Sequence, residues 1–151
     1  MHRFIMRISA VCFSILFLYA CKSAKAPAAT MENNNTITDK TWKLVELNGQ
    51  PVKADPTNKK EPFLILRSND KIITGSGGCN SFRGSFELKD GNRIAISKLA
   101  ATLMACANME TEPAFFKVIE MADNYVLVRD SLVLNKARMA PLARFVLANN
   151  Q

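Results

Sequence analysis

Histidine is nearly missing from this chain: it occurs once in 151 residues, at position 2. A Ser-His-Asp triad, a Cys-His pair, an HExxH helix and a His-ligated zinc site all need histidine within the folded part of the protein. Most common hydrolase and metalloenzyme chemistry is thereby excluded for a domain that begins well after His2. Cysteine is scarce too, with four residues at positions 12, 21, 79 and 106. No two of them have CxxC spacing, so neither a redox dithiol motif nor a zinc ribbon is written here. The chain also lacks any apolar run of the roughly 20 residues needed to span a bilayer core.

Concentrated charge is a further absence. Lys and Arg number 20 against 13 Asp and Glu, a formal charge of +7, yet the basic residues are scattered from Lys40 to Arg144 with no block beyond Lys59-Lys60. Without a stripe or interleaved aromatics there is no nucleic-acid footprint. The pattern fits a soluble basic surface near anionic lipid or wall polymer. The glycine-rich Gly75-Ser76-Gly77-Gly78 is followed by neither Lys-Ser/Thr nor a helix, so it does not read as a phosphate cradle. Glycines that permit a bulge or a positive φ are the expectation. The carboxylate pairs Glu110 with Glu112 and Asp123 with Asp130 read as helix-end charges and turn residues. No metal site, cofactor or catalytic residue is assigned.

What is present begins at the N-terminus. Arg3 and Arg7 precede a short apolar stretch, Ile8 to Ala20, that stops at Leu18-Tyr19-Ala20-Cys21. Charge, about a dozen apolar residues and a small residue at the cut site are the layout of a secretory signal. Cysteine directly after it resembles the lipobox of bacterial lipoproteins, although Tyr19 is a less usual occupant of its position. Residues 1–20 are therefore expected to be a lipoprotein signal peptide, with Cys21 the acylated (palmitate-bearing) anchor. Residues 21–39, rich in Ala, Ser, Thr and Asn, are expected to be a disordered tether. A flexible coil of roughly 18 residues spans on the order of 25 Å. Lys22 is not the aspartate of the inner-membrane retention rule, so the resemblance implies an outer-membrane lipoprotein facing the periplasm.

The single domain expected over residues 40–151 then keeps Cys79 and Cys106 as its only cysteines. Two exported thiols pair if geometry allows, closing a loop of about 27 residues worth roughly 3.5 kcal/mol in the chain-entropy model. Two buried free thiols acting as small hydrophobes are the other reading.

The domain reads mostly as strands. Thr41–Leu47 alternates, with Trp42, Leu44 and Glu46 on one face, and Asn48-Gly49 turns it. Residues 52–61 form a loop, Pro62–Arg67 is a continuous apolar run, and Ile72–Ser76 returns after a turn. Ser81–Leu88 places Phe82, Gly84, Phe86 and Leu88 on one face. A three-residue Asp90-Gly91-Asn92 loop with a bulge sets Leu88 opposite Ile94 and Phe86 opposite Ile96, whereas a two-residue loop mixes core with solvent. Glu110–Ala122 is the one good helix, with Pro113 in its first turn and Phe115 or Phe116, Ile119 and Ala122 as its core stripe. Strands over Tyr125–Val128, Ser131–Leu134 and Leu142–Leu147 follow. The expected class is α+β: an antiparallel sheet of short strands, curved toward a barrel-like form, with one packed helix.

Several short motifs occur in a fixed order: Trp42-x-Leu44, Asn48-Gly49, Gly75-x-Gly77-Gly78-Cys79-Asn80-x-Phe82-x-Gly84-x-Phe86, Thr102-x-Met104-Ala105-Cys106, Met109-Glu110-x-Glu112-x-x-Phe115, and Tyr125-x-Leu127 with Leu132-x-Leu134. This series resembles the META domain family in its HslJ-like form among bacterial heat-shock lipoproteins, over roughly residues 40–147. Leu103 departs from the pattern, since family members often carry a basic residue there. The resemblance implies an antiparallel sheet with a helix, neighbouring GCN and MAC segments that bring Cys79 and Cys106 together, and structural roles for Gly77, Gly78, Asn80, Gly84 and Thr102. It implies a stress- or resistance-associated envelope role, with the membrane and an envelope protein as partners, and supplies no reaction. The alternative is a small-ligand carrier or enzyme with a site near Cys79, Asn80 and Cys106.

Overall fold

Thr41–Leu47 forms β1, and it shows how the barrel departs from simple alternation. Trp42, Leu44 and Leu47 are buried, and Glu46 is not. A register shift between Leu44 and Glu46 inserts one extra residue, which turns Leu47 inward and leaves Glu46 to reach Arg144 at 3.5 Å. The computed structural model describes residues 36–58, 60–138 and 140–148. The expected signal peptide, Cys21 and most of the expected tether lie outside them.

After β1 come β2 (Gln50–Pro51), β3 (Phe63–Arg67), β4 (Ile72–Ser76), β5 (Ser81–Lys89), β6 (Arg93–Ala101), the helix α1 (Thr111–Met121), β7 (Asn124–Val128), β8 (Ser131–Asn135) and β9 (Ala143–Leu147). From β3 onward each strand pairs antiparallel with the next, and β1 pairs with both β3 and β9. β1 and β3 to β9 thus close into an eight-stranded ring, with β2 a two-residue ribbon on β1. The α+β expectation is corrected on this point. The domain is a closed antiparallel β-barrel, and the one helix among the described residues, 11 residues long, forms no layer of its own. Closure removes the two sheet edges that an open α+β sheet would leave.

The β5–β6 hairpin has the register expected from its apolar face. Lys89 faces Arg93, Leu88 faces Ile94 and Phe86 faces Ile96 across Asp90-Gly91-Asn92. Gly91 and Asn92 take the positive φ values of 72° and 57° that such a loop needs. The bulge in this pair lies further along, where Arg83 to Ser85 faces Ala100 to Ser97 and Lys98 has φ of 57°. β6 and β7 meet at one pair, Arg93 with Asn124, flanked by bonds from Ile94 N–H to Asp123 O and from Tyr125 N–H to Asn92 O. β7 therefore runs on past the hairpin tip, and α1 packs beside the remainder of β6.

Side chains fill the interior. Trp42, Leu64, Leu66, Ile73, Leu132, Leu134 and Phe145 point inward from the strands, and Phe115 and Ile119 add to them from α1. The Phe115 ring meets Phe82 edge-on with centroids 5.9 Å apart and lies 6.0 Å from Phe145. The fold reaches back into the expected tether. Ile37 is buried, the Trp42 indole N–H donates to its carbonyl at 2.8 Å, and Asp39 N–H donates to Leu66 O. Such a Trp satisfies its one donor and still contributes its ring to the core.

At the β7–β8 end, Asp123 accepts from Ala137 N–H and from the Asn124 side chain at 2.8 and 2.7 Å, with Lys136 nearby at 3.3 Å. The Ala137 backbone bond, then the Asn124 amide and Lys136, hold its carboxyl at about 2, below the usual 3.8. A lowered folded-state value means this stabilisation is complete above pH 4 and lost as pH falls through about 2. Between these limits the wild type should lose stability more steeply than Asp123→Asn; parallel urea midpoints for both proteins from pH 5 to pH 2 would contradict the assignment.

Candidate functional site

The loop Gly77–Asn80, between β4 and β5, turns on close packing. A Cβ on Gly75 would lie 2.1 Å from Phe63 O and 2.5 Å from the Phe82 ring, and one on Gly77 would lie 2.5 Å from the Glu112 side chain. Gly78 has φ of 116°, a conformation L side chains rarely adopt. Two of these glycines are thus required by proximity and one by backbone conformation.

This turn aims two backbone N–H groups and one amide at a single buried carboxylate. Glu112, in the first turn of α1, is 4% exposed. Its Oε2 accepts from Asn80 N–H at 2.6 Å and Cys79 N–H at 3.2 Å, and its Oε1 accepts from Asn80 Nδ2 at 2.6 Å. The carboxylate sits at a helix N-terminus, where the unpaired N–H groups favour negative charge. Asn80 completes the centre. Its Nδ2 also donates to Met104 O at 3.1 Å, and its Oδ1 accepts from Met104 N–H and Thr102 Oγ1, each at 2.7 Å. Thr102 Oγ1 in turn accepts from Ser81 N–H at 3.2 Å. The Asn80 amide is fully used.

Cys79 and Cys106 are bonded as a disulfide with Cα atoms 6.0 Å apart. Together with Asn80 and with Asn108, whose side chain donates to Asp55 Oδ2 at 2.6 Å, the bridge ties down Thr102, Met104, Cys106 and Asn108. The long segment between β6 and α1 is therefore fixed at alternate residues. Beside it lies a mainly apolar groove of about 420 Å³ lined by Leu103, Met104, Met109, Pro113 and Phe116, with Asn80 and Glu112 at its polar margin. Leu103 is 98% exposed and Met104 49%. Reduction of the bridge should cost about 2–4 kcal/mol by freeing a loop of this length in the unfolded chain. Guanidinium melts with and without reductant measure it, and coincident curves would refute it.

Of the residues singled out in the sequence, Gly77, Gly78, Cys79, Asn80, Thr102 and Cys106 converge here. Gly84 does not: it lies within β5 opposite Ile73, where a Cβ would meet Ser97 O at 3.0 Å. Cys21 is outside the described residues. Glu112 is the residue that sequence reasoning missed, because it was read as a helix-end charge. The signal was its spacing: Glu112, Phe115 and Ile119 fall on one helical face, and that face is buried.

Comparison with known proteins agrees with this architecture. The META domain family model matches residues 35–149. None of the curated proteins matches the chain. Among solved structures, an NMR structure of a protein from Burkholderia xenovorans is similar, with 23% identity and a TM-score of 0.60 over 78% of this chain and 87% of that one. That likeness concerns the fold. On a family match spanning residues 35–149 of 151, the chain belongs to the META domain family.

Proposed function

We propose that this META domain is a non-catalytic binding module of the bacterial envelope, HslJ-like, stress- or resistance-associated, and held at a membrane by acylated Cys21. One observation carries the non-catalytic reading. The polar side-chain atoms clustered at Asn80, Glu112 and Thr102 are all committed to one another or to backbone. A general acid, base or nucleophile needs a polar atom within hydrogen-bond reach of substrate. Here those atoms hold a turn, a loop and a helix together, and the adjoining free surface is apolar. The anchor rests on the Leu18-Tyr19-Ala20-Cys21 pattern, and an outer-membrane position on Lys22.

Two experiments test the reading. Metabolic labelling with palmitate should mark the wild type and leave Cys21→Ser unlabelled; equal labelling would remove the anchor. Photocrosslinkers at Leu103 and at the exposed control Lys89 should capture a defined envelope protein from Leu103 in living cells. Capture of lipid or bulk protein alone would end the binding-module reading.

A further inference from the structure

Resting on that reading, we propose that Leu103–Ala107 is an edge that receives an extended apolar peptide, flanked by carboxylates, from another protein. The segment has a built alternation. Thr102, Met104, Cys106 and Asn108 are held from within by Asn80, the disulfide and Asp55. Exposure runs along the whole segment, Cys106 being half-buried, but the anchoring alternates: among the described residues the backbone N–H and C=O groups of Leu103, Ala105 and Ala107 have no protein partner. Past the end of β6, the chain presents main-chain donors and acceptors on a segment anchored at every second residue. A strand added to such an edge gains main-chain hydrogen bonds for affinity and side-chain pockets for selection. The pocket is the apolar groove beside Met104, Met109 and Phe116.

Three observations choose the occupant. Unused backbone groups call for a backbone, which a hydrocarbon chain does not supply. Charge is the second: Lys117 follows Phe116 on α1, and Arg83 and Lys98 line the outer wall beside Ala100, just before the segment. None of the three makes a salt bridge among the described residues, so carboxylates at the ends of an apolar peptide would find cations waiting. The third is the place of the first described residues. Asp39 bonds Leu66 O and Ser68 N–H, at the end of β3 paired with Ile72, whereas the Asn80 turn follows the other end of that ladder, where Phe63 faces Ser76. The first described residues therefore meet the β3–β4 pair at the end away from this edge.

The test is an NMR titration of the full ¹⁵N-labelled chain with the synthetic peptide acetyl-Asp-Val-Leu-Val-Leu-Val-Asp-amide. Amide shifts should centre on Leu103, Ala105 and Ala107. N-methylation of alternate peptide amides, in one of its two phases, should weaken binding at least about tenfold, the equivalent of one or two lost hydrogen bonds. Lysine in place of the flanking aspartates should also weaken it. Ala105→Pro removes one edge donor outside the Asn80 network and should reduce affinity by a similar factor while melting like the wild type. Equal binding of both N-methylated peptides, shifts on another face, no binding at millimolar peptide, or the same shifts from phosphatidylglycerol vesicles or self-association would each overturn the proposal. A defined partner crosslinked elsewhere on the barrel would overturn this edge while leaving the binding-module reading intact.

Discussion

Glu112→Gln should destabilise the domain by about 3 kcal/mol although it changes one atom of a single buried side chain. The carboxylate presents two acceptor oxygens to three donors, Cys79 N–H, Asn80 N–H and Asn80 Nδ2. Glutamine has one acceptor oxygen and a donor NH₂, so in either amide orientation a buried donor faces a donor. Asn80→Ala should cost a similar amount by deleting four bonds at once and releasing Met104 from the barrel. The two losses should not add, because each substitution breaks the bond the residues share. Urea midpoints of both single variants and the double variant measure this. Single-variant losses below about 0.5 kcal/mol, the range of an ordinary surface change, would mean the centre is not structural.

Gly75→Ala should be more severe, with loss of cooperative folding or at least about 4 kcal/mol. The added Cβ meets the backbone oxygen of Phe63 at 2.1 Å and the Phe82 ring at 2.5 Å. The oxygen belongs to the strand paired with β4 and cannot rotate away, so the ladder itself must part. Gly49→Ala is the contrasting control: nothing lies within 4 Å of its Cβ, and its only penalty is the positive φ of 79°. Thermal melts of the two variants should differ widely. Equal melting temperatures would show that strain in φ, and not the close approach, governs these glycines.

The strands were legible in the sequence because one-sided burial imposes alternation, and the β5–β6 register followed from keeping Phe86 and Ile96 on one face. Three features escaped that logic. The bulge after Leu44 shifted the phase of β1 by one residue, which no strict period-two pattern reveals. Ile37 was assigned to a polar tether because its neighbours are polar, yet a single apolar side chain under the Trp42 indole is enough to draw the segment into the core. Closure of the barrel depends on β1 pairing with β9, a contact between the two ends of the domain that local patterning does not encode. The polar centre was visible as a GGCN turn and a T-x-M-A-C segment, but the carboxylate that joins them was concealed by its charge.

Amide hydrogen exchange at Cys79, Asn80 and Met104 tests most directly whether this centre is the keystone of a binding scaffold or an open site. All three N–H groups are donors inside the cluster. They should exchange only on global unfolding, as slowly as the core amides of β3 and β4, and should be released early in Asn80→Ala. Fast exchange at these three positions in a barrel that is otherwise protected would contradict a structural role and return Asn80 and Glu112 to the list of groups free to act on a ligand.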